Sequence, residues 1–305
     1  MQTSPPAIRV AADVRRALEI DAPVLALEST ILTHGLPGPR NLEVGLESEA
    51  QVRAAGVTPA TIGVIDGEPV VGLSPAELEQ LCTTESVVKV SVRDLPIVRA
   101  KGLDGGTTVA ATAWLAHRAG IQVMATGGLG GVHRGASETF DESADLGTLA
   151  ETPITLVSAG VKSILDIGAT LERLETLNIP VVGYRTNRYP GFYIADSGFA
   201  LDYRIESPAD AAALAQARNQ LGLTSAVLVA NPVDEAQQLD PAFHDRVLAE
   251  ALAAASEAGI TGHDTTPFLL DYVQRATGGR SLEVNLEVYR GNVALGAEIA
   301  RAVAG

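Results

Sequence analysis

The sequence predicts an α/β fold, a mainly parallel sheet covered by helices on both faces. Two observations carry this. Apolar runs of strand length alternate with helix-length amphipathic stretches from one end of the chain to the other. The composition is 46% hydrophobic but only 4% aromatic, with mean hydropathy +0.18, the profile of a body built from Ala, Val, Leu and Ile rather than a disordered chain. No Ser/Gly-rich linker, charge block or internal repeat divides the 305 residues, so residues 1–305 read as a single domain. At this size folding buries about three quarters of the unfolded surface, without help from a disulfide or metal.

In chain order, residues 23–27 read as a buried strand and 41–55 as an amphipathic helix. Residues 60–65 form the next strand. Ser74-Pro75-Ala76-Glu77 is a helix start, with a capping hydroxyl, a proline at the first helical position and a glutamate three residues on. Residues 87–90 are short and β-branched. A helix is expected over 107–119, strands over 121–125 and 154–157, and a helix over 164–177. An extended piece at 180–182 precedes an irregular stretch, 184–203, where Arg185, Arg188, Pro190, Gly191 and Phe192 break the alternation. The pattern resumes with helix 208–221, strand 226–230 and helices 241–258, 267–276 and 281–304.

The formal charge of -15 repels phosphate backbones and anionic lipids, which argues against a general nucleic-acid or membrane-surface binder. A phosphorylated small molecule remains compatible if a few cations are concentrated in one place. No window approaches about 18 uninterrupted apolar residues, and the N-terminus lacks a signal-like apolar core. The single Cys82 excludes an internal disulfide, and a cytoplasmic protein is expected. Against 19 arginines stand only three lysines, Lys89, Lys101 and Lys162. Some chemistry needs an amine that arginine cannot supply, so these three merit inspection.

In open parallel sheets ligands gather beyond the carboxyl ends of the strands. After the first strand comes Glu28-Ser29-Thr30. A carboxyl there sits in a partly dry place and suits a general acid, unless it pairs with an arginine or caps a loop. Lys89 lies inside a β-branched run, as a point charge for an anion or simply on an exposed edge strand. Thr126–Gly135 holds five glycines, which let backbone approach a ligand or make a tight turn. If residues 141–145 are helical, Asp141 and Asp145 share a face, as oxygen ligands for a small divalent ion or as a solvated acidic helix start. Small residues bracket Lys162 just ahead of an expected helix. That position favours a neutral, nucleophilic amine, although an exposed lysine would fit as well.

Taken in order, the segments Ala26-Leu27-Glu28-Ser29-Thr30, Val88-Lys89-Val90-Ser91, Gly106-Thr107-Thr108-Val109-Ala110, Thr126–Gly135, Thr139–Leu146 and Ala159-Gly160-Val161-Lys162-Ser163-Ile164-Leu165-Asp166 form one set. With Val229-Ala230-Asn231-Pro232, Thr265-Thr266-Pro267-Phe268 and Asn285, that set resembles the pseudouridine-5'-phosphate glycosidase family, also described as indigoidine synthase A-like. The resemblance implies a three-layer α/β/α trimer that reversibly cleaves the C–C glycosidic bond of pseudouridine 5'-phosphate to uracil and ribose 5-phosphate. It implies one divalent ion per subunit, typically manganese. Carried over by position, it makes Glu28 the proton donor, Lys162 the Schiff-base nucleophile and Asp141 the metal carboxylate. Lys89, Val109, Ser143, Ala144 and Asp145 become sugar-phosphate contacts, and His133 and Asn285 lie in site segments.

The bond to be broken explains why a lysine is needed. Uracil joined through carbon offers no heteroatom leaving group, so acid hydrolysis alone fails; an iminium at C1' supplies the electron sink. Two other readings stay open on sequence. One is a non-catalytic sugar-phosphate binder on the same fold. The other is a nucleotide-dependent oxidoreductase using the glycine run, which lacks the usual strand–GxGxxG–helix order.

Overall fold

A computed structural model describes residues 8–260 and 265–305. Its eleven strands join in one sheet. Along the main path run β1 (Arg9–Val10), β4 (Glu68–Val71), β3 (Thr58–Ile65), β2 (Val24–Leu27), β7 (Val123–Ala125), β8 (Thr155–Ser158), β11 (Val227–Ala230), β9 (Val181–Tyr184) and β10 (Arg204–Ile205). A side branch adds β6 (Gly105–Thr107) on β3 and β5 (Val88–Val90) on β6. Every pairing is parallel except β3 with β4 and with β6.

Two cores account for the layering. Side chains alternate across a strand, so β2 sends Val24 and Ala26 to one face and Leu25 and Leu27 to the other. On the first face lie α1 (Ala12–Glu19), α5 (Val109–Ala119), α8 (Ile167–Thr176) and α10 (Pro241–Glu257). The second is covered by α2 (Arg40–Ala54), α3 (Pro75–Thr83), α9 (Pro208–Gln220) and most of α12 (Arg280–Ala304). The three-layer α/β/α expectation holds. No helix among the described residues is long and apolar enough to cross a membrane.

Local chemistry explains the helix starts. Ser74 caps α3 with a reciprocal Glu77 box and Pro75 in the first turn, as the sequence predicts. Three expectations are corrected. The helix placed over 107–119 begins at Val109, because Thr107 belongs to β6 and Thr108 caps the helix through Ala111 N. The helix placed at 164 begins at Ile167, where Asp166 takes the Ala169 amide. Lys162 therefore lies in a turn after β8, not beside a helix N-terminus. Asp141 and Asp145 do not share a helical face either: α7 (Ala144–Ala150) starts beyond Asp141, with Ser143 as its cap.

Candidate functional site

The carboxyl ends of β2, β7 and β8 converge with the N-terminus of α5. Glu28 follows β2 directly and is 7% exposed; its Oε1 accepts the Thr126 hydroxyl from the end of β7. Ser29 fixes the neighbouring backbone, donating to Ile62 O at 2.6 Å and accepting from Thr107 N at 2.9 Å. That second bond ties β2 to the approach of α5.

Asp145 organises the opposite wall. Its Oδ1 accepts the Ala110 amide at 2.9 Å and its Oδ2 accepts the Gly130 amide at 2.8 Å. One buried carboxylate thus clamps the first turn of α5 to the glycine run. At the start of α5, Asp145 takes Ala110 N and Thr108 takes Ala111 N, which leaves the Val109 amide for a ligand. Gly130 is glycine for space: a Cβ there would lie 2.2 Å from Ser143 Oγ and 2.9 Å from Asp145 Oδ2. Ser143 and Ala144, the cap and first residue of α7, are set by this contact, and Ser143 N donates to Gly131 O at 3.0 Å.

The glycine run leads into a loop and the single-turn α6 (Ala136–Thr139) instead of opening a helix directly. A dinucleotide crevice is built differently.

Four charged groups meet across this cleft. Burial pushes the Glu28 carboxyl above its ordinary range, against the pull of Lys162, the Thr126 hydrogen bond and Lys89; Asp145 pushes in the same direction as burial. Desolvation and Lys162 bring the Lys89 ammonium below its usual range, against Asp145 and Glu28. Lys89 stands on the edge strand β5, opposite Gly106 of β6, so the edge-strand reading holds, and that position leaves its side chain compatible with an anion. Among the described residues no direct ion pair ties up Lys89 or Lys162. A dry acid facing two cations can protonate a sugar oxygen, hold a phosphate and present an amine to a carbon.

The structure thus brings together Glu28, Lys89, Val109, Ser143, Ala144, Asp145 and Lys162. Asn285 reaches the same place from α12: its Oδ1 is buried without a partner and lies 3.4 Å from where a Cβ on Gly127 would sit. Asp141 and His133 face each other: His133 N donates to Asp141 O at 3.0 Å, and His133 Nδ1 lies 3.8 Å from Asp141 Oδ2. No three His, Cys, Asp or Glu side chains among the described residues converge as a metal cage. This donor set suits an oxygen-ligated ion anchored by Asp141 and keeping most of its water, and does not suit a protein-enclosed one.

Sequence reasoning missed Asn292. It is fully buried on α12, donates to Thr126 O at 2.7 Å and Gly127 O at 3.0 Å, and accepts from Asn231 at 3.0 Å. The available signal was an asparagine inside the apolar stripe of a helix, between Tyr289 and Val293. His34 lies near Lys89 as well; burial and Lys89 lower its pKa, which favours the neutral imidazole.

The raised Glu28 carboxyl has a measurable consequence. Its folded form holds a proton to higher pH than the unfolded form, so stability falls as pH rises through the raised value. Below the unfolded value of about 4.3 both states are protonated and the effect vanishes. Glu28→Gln removes the buried charge and is expected to melt higher than the wild type at pH 8, by about 2–4 °C for each kcal/mol relieved. The difference should close as pH falls toward 5. A variant that melts lower than the wild type at pH 8 would contradict the burial argument.

A sequence profile described as "Indigoidine synthase A like protein" matches residues 13–302. A pseudouridine-5'-phosphate glycosidase from Saccharopolyspora erythraea is 64% identical over 296 residues, covering 97% of this chain and 98% of that one. One of the same name from Caldanaerobacter subterraneus subsp. tengcongensis is 47% identical over 293 residues, covering 96% and 95%. Among solved structures, a prealnumycin C-glycosynthase in complex with ribulose 5-phosphate superposes with TM-score 0.92 at 36% identity, covering 99% of this chain and 98% of that one. An indigoidine synthase A-like protein from Thermotoga maritima gives TM-score 0.90 at 36% identity, with 100% and 99% covered.

Proposed function

The chain belongs to the indigoidine synthase A-like family, and from that membership we propose that it reversibly cleaves the C–C glycosidic bond of pseudouridine 5'-phosphate to uracil and ribose 5-phosphate. The observation that carries the reading is the desolvated Glu28 facing Lys162 and Lys89 in one cleft. A protein that only bound sugar phosphates would use Lys89 for the anion but would gain nothing from a buried acid beside a second unpaired amine.

In this scheme Glu28 gives its proton to the ribose ring oxygen as the C1'–O4' bond opens. The uracil ring feeds electrons toward C1' and then accepts them back as the Lys162 amine bonds to that carbon. The secondary ammonium so formed gives a proton to the Glu28 carboxylate. Its restored lone pair expels uracil: the electrons of the C1'–C5 bond pass to C5, which takes that proton back from Glu28, and an iminium remains. Water hydrolyses the iminium to ribose 5-phosphate and the free amine. Lys89 and the Val109 amide hold the phosphate, and Asn285 offers its unpartnered oxygen to the ligand.

The same proposal includes manganese, held by Asp141 through a largely hydrated shell, where it would order the site electrostatically. It also includes a homotrimer and a cytoplasmic setting. The free Cys82 thiol, pushed up to about 11 by burial, is poorly reactive and compatible with a reducing compartment.

Ultraviolet detection of uracil released from pseudouridine 5'-phosphate tests the reading. Turnover is expected, with a strong loss in excess chelator that manganese restores better than calcium, since a small, water-retaining ion fits one carboxylate better than an ion seeking six to eight ligands. Binding of ribose 5-phosphate with no uracil formed at high enzyme concentration would favour the non-catalytic binder. Full activity in chelator, with no metal by elemental analysis, would remove the ion from the scheme.

A further inference from the structure

The irregular stretch between β9 and β10 is a strap across the turn that carries Lys162. Tyr189 is its buried centre, 1% exposed. The Tyr189 hydroxyl accepts the amide of Val161, the residue before Lys162, at 3.0 Å. The Lys162 amide itself donates to Leu129 O at 3.2 Å, and Leu129 N donates to Gly160 O at 3.1 Å. The lysine's backbone is therefore held on one side by the glycine run and on the other by a phenol.

The strap cannot slide. Gly160 has φ +79, and a Cβ there would lie 2.6 Å from Pro190 O and 2.9 Å from the Tyr189 ring, so the turn and the strap fit only with glycine at that point. Phe192 N donates to Ala159 O at 3.2 Å, and its ring lies against Gly128. Tyr189 is in turn fixed from behind: its carbonyl accepts both Ser197 N at 2.9 Å and Ser197 Oγ at 2.6 Å. Burial raises the Tyr189 pKa and keeps the phenol neutral across the working range. No substrate chemistry assigned above uses it.

We propose that Tyr189 is a positioning residue for Lys162: by holding the Val161 amide it sets the direction from which the lysine amine enters the cleft. The inference rests on the reading of Lys162 as nucleophile. It concerns the step in which Nζ bonds to C1', and it leaves the phosphate contacts at Lys89 and Val109 untouched. Reactive geometry is steep in distance, so a small rotation of the turn should act on turnover far more than on affinity.

Tyr189→Phe removes one oxygen and keeps the ring. Expected are a fall in kcat and in the rate of borohydride trapping of ribose 5-phosphate of about 10–100-fold, the scale of a misplacement near 1 Å, with KM little changed. Ser197→Ala serves as the structural control, because it loosens the strap and leaves the phenol in place; it should lower the melting temperature while keeping kcat near wild type. Replacing Val161 by its α-hydroxy acid deletes the amide proton instead of its acceptor. It should reproduce the kcat loss, and it decides the matter if Tyr189→Phe does not fold. Trapping at the wild-type rate in either variant overturns the inference, as does a loss confined to KM or an equal kcat loss in Ser197→Ala. A wild-type enzyme that takes no label at Lys162 overturns the nucleophile assignment itself, and this inference with it.

Discussion

Lys162→Arg is expected to fold, to bind ribose 5-phosphate and to release no measurable uracil, a loss of at least about 10⁴-fold, the scale on which deleting a covalent nucleophile acts. Arginine keeps the positive charge felt by Glu28 but cannot form an iminium, so the electrostatics of the cleft persist while its chemistry stops. Lys89→Arg should behave differently. Lys89 sits on the edge strand beside Gly106, and a guanidinium there still neutralises a phosphate, so measurable turnover should remain with weakened affinity. Borohydride added during incubation with ribose 5-phosphate should attach the sugar to Lys162 of the wild type and leave Lys162→Arg unlabelled, as read by mass spectrometry of the digest. Label on Lys89 or Lys101, or an active Lys162→Arg enzyme, would reassign the covalent role.

The parallel sheet was legible because its strands are buried on both faces and read as continuous apolar runs, which nothing else of that length in this chain imitates. The strands that escaped are short, or depend on partners far away. β1 and β10 have two residues each, and β6 is Gly-Gly-Thr, with no apolar signal of its own. β4 was findable: Asp66-Gly67 between two apolar runs is a hairpin turn signal, and β3 with β4 is the antiparallel hairpin it announces. The helix boundary at Lys162 was misjudged because the apolar residues Ile164 and Leu165 extend the periodicity of α8 backward, while the real start is set by the Asp166 cap.

The site was legible to the extent that its residues follow strands. Glu28 and Lys162 could be nominated from position alone, since each trails an apolar run. Asp145 could be nominated only as one of a pair of carboxylates, and the pairing was mistaken. Its partners are the amides of Ala110 and Gly130, separated from it by 35 and 15 residues, and backbone amides leave no mark in sequence. The glycine run was open to two readings, backbone approaching an anion or a tight turn; the Gly130 amide is spent on Asp145, and its glycines serve close packing against Ser143, Phe192 and Thr170. Asn292 and Tyr189 act through carbonyls and amides as well, which is why both are evident only when the chain is folded.

Removal of the substrate phosphate is expected to cost about three orders of magnitude in kcat/KM or more, although no bond to phosphorus changes. The chain carries a net charge of -15, so a dianion approaches against the field of the whole molecule and must be compensated locally. The proposed function places that compensation where β5 and β6 run side by side: Lys89 is paired opposite Gly106, the Thr108 amide is bonded to Val90 O at 2.9 Å, and α5 begins at Val109, just after β6, with the positive end of its dipole. Charge-assisted hydrogen bonds are worth about 1.5–3 kcal/mol each, and about 1.4 kcal/mol is tenfold, so two or three of them account for the expected factor. Because the phosphate is remote from C1', part of that energy should serve alignment of the opened sugar with Lys162, and unphosphorylated pseudouridine should lose kcat as well as affinity. Lys89→Arg should show a smaller ratio between the two substrates than the wild type does, since it weakens only the phosphorylated one. Comparable kcat/KM for pseudouridine and its 5'-phosphate would remove the anion assignment from Lys89 and the α5 N-terminus. A kcat unchanged by loss of the phosphate, with only KM raised, would mean the anion is an anchor that does nothing to place the sugar.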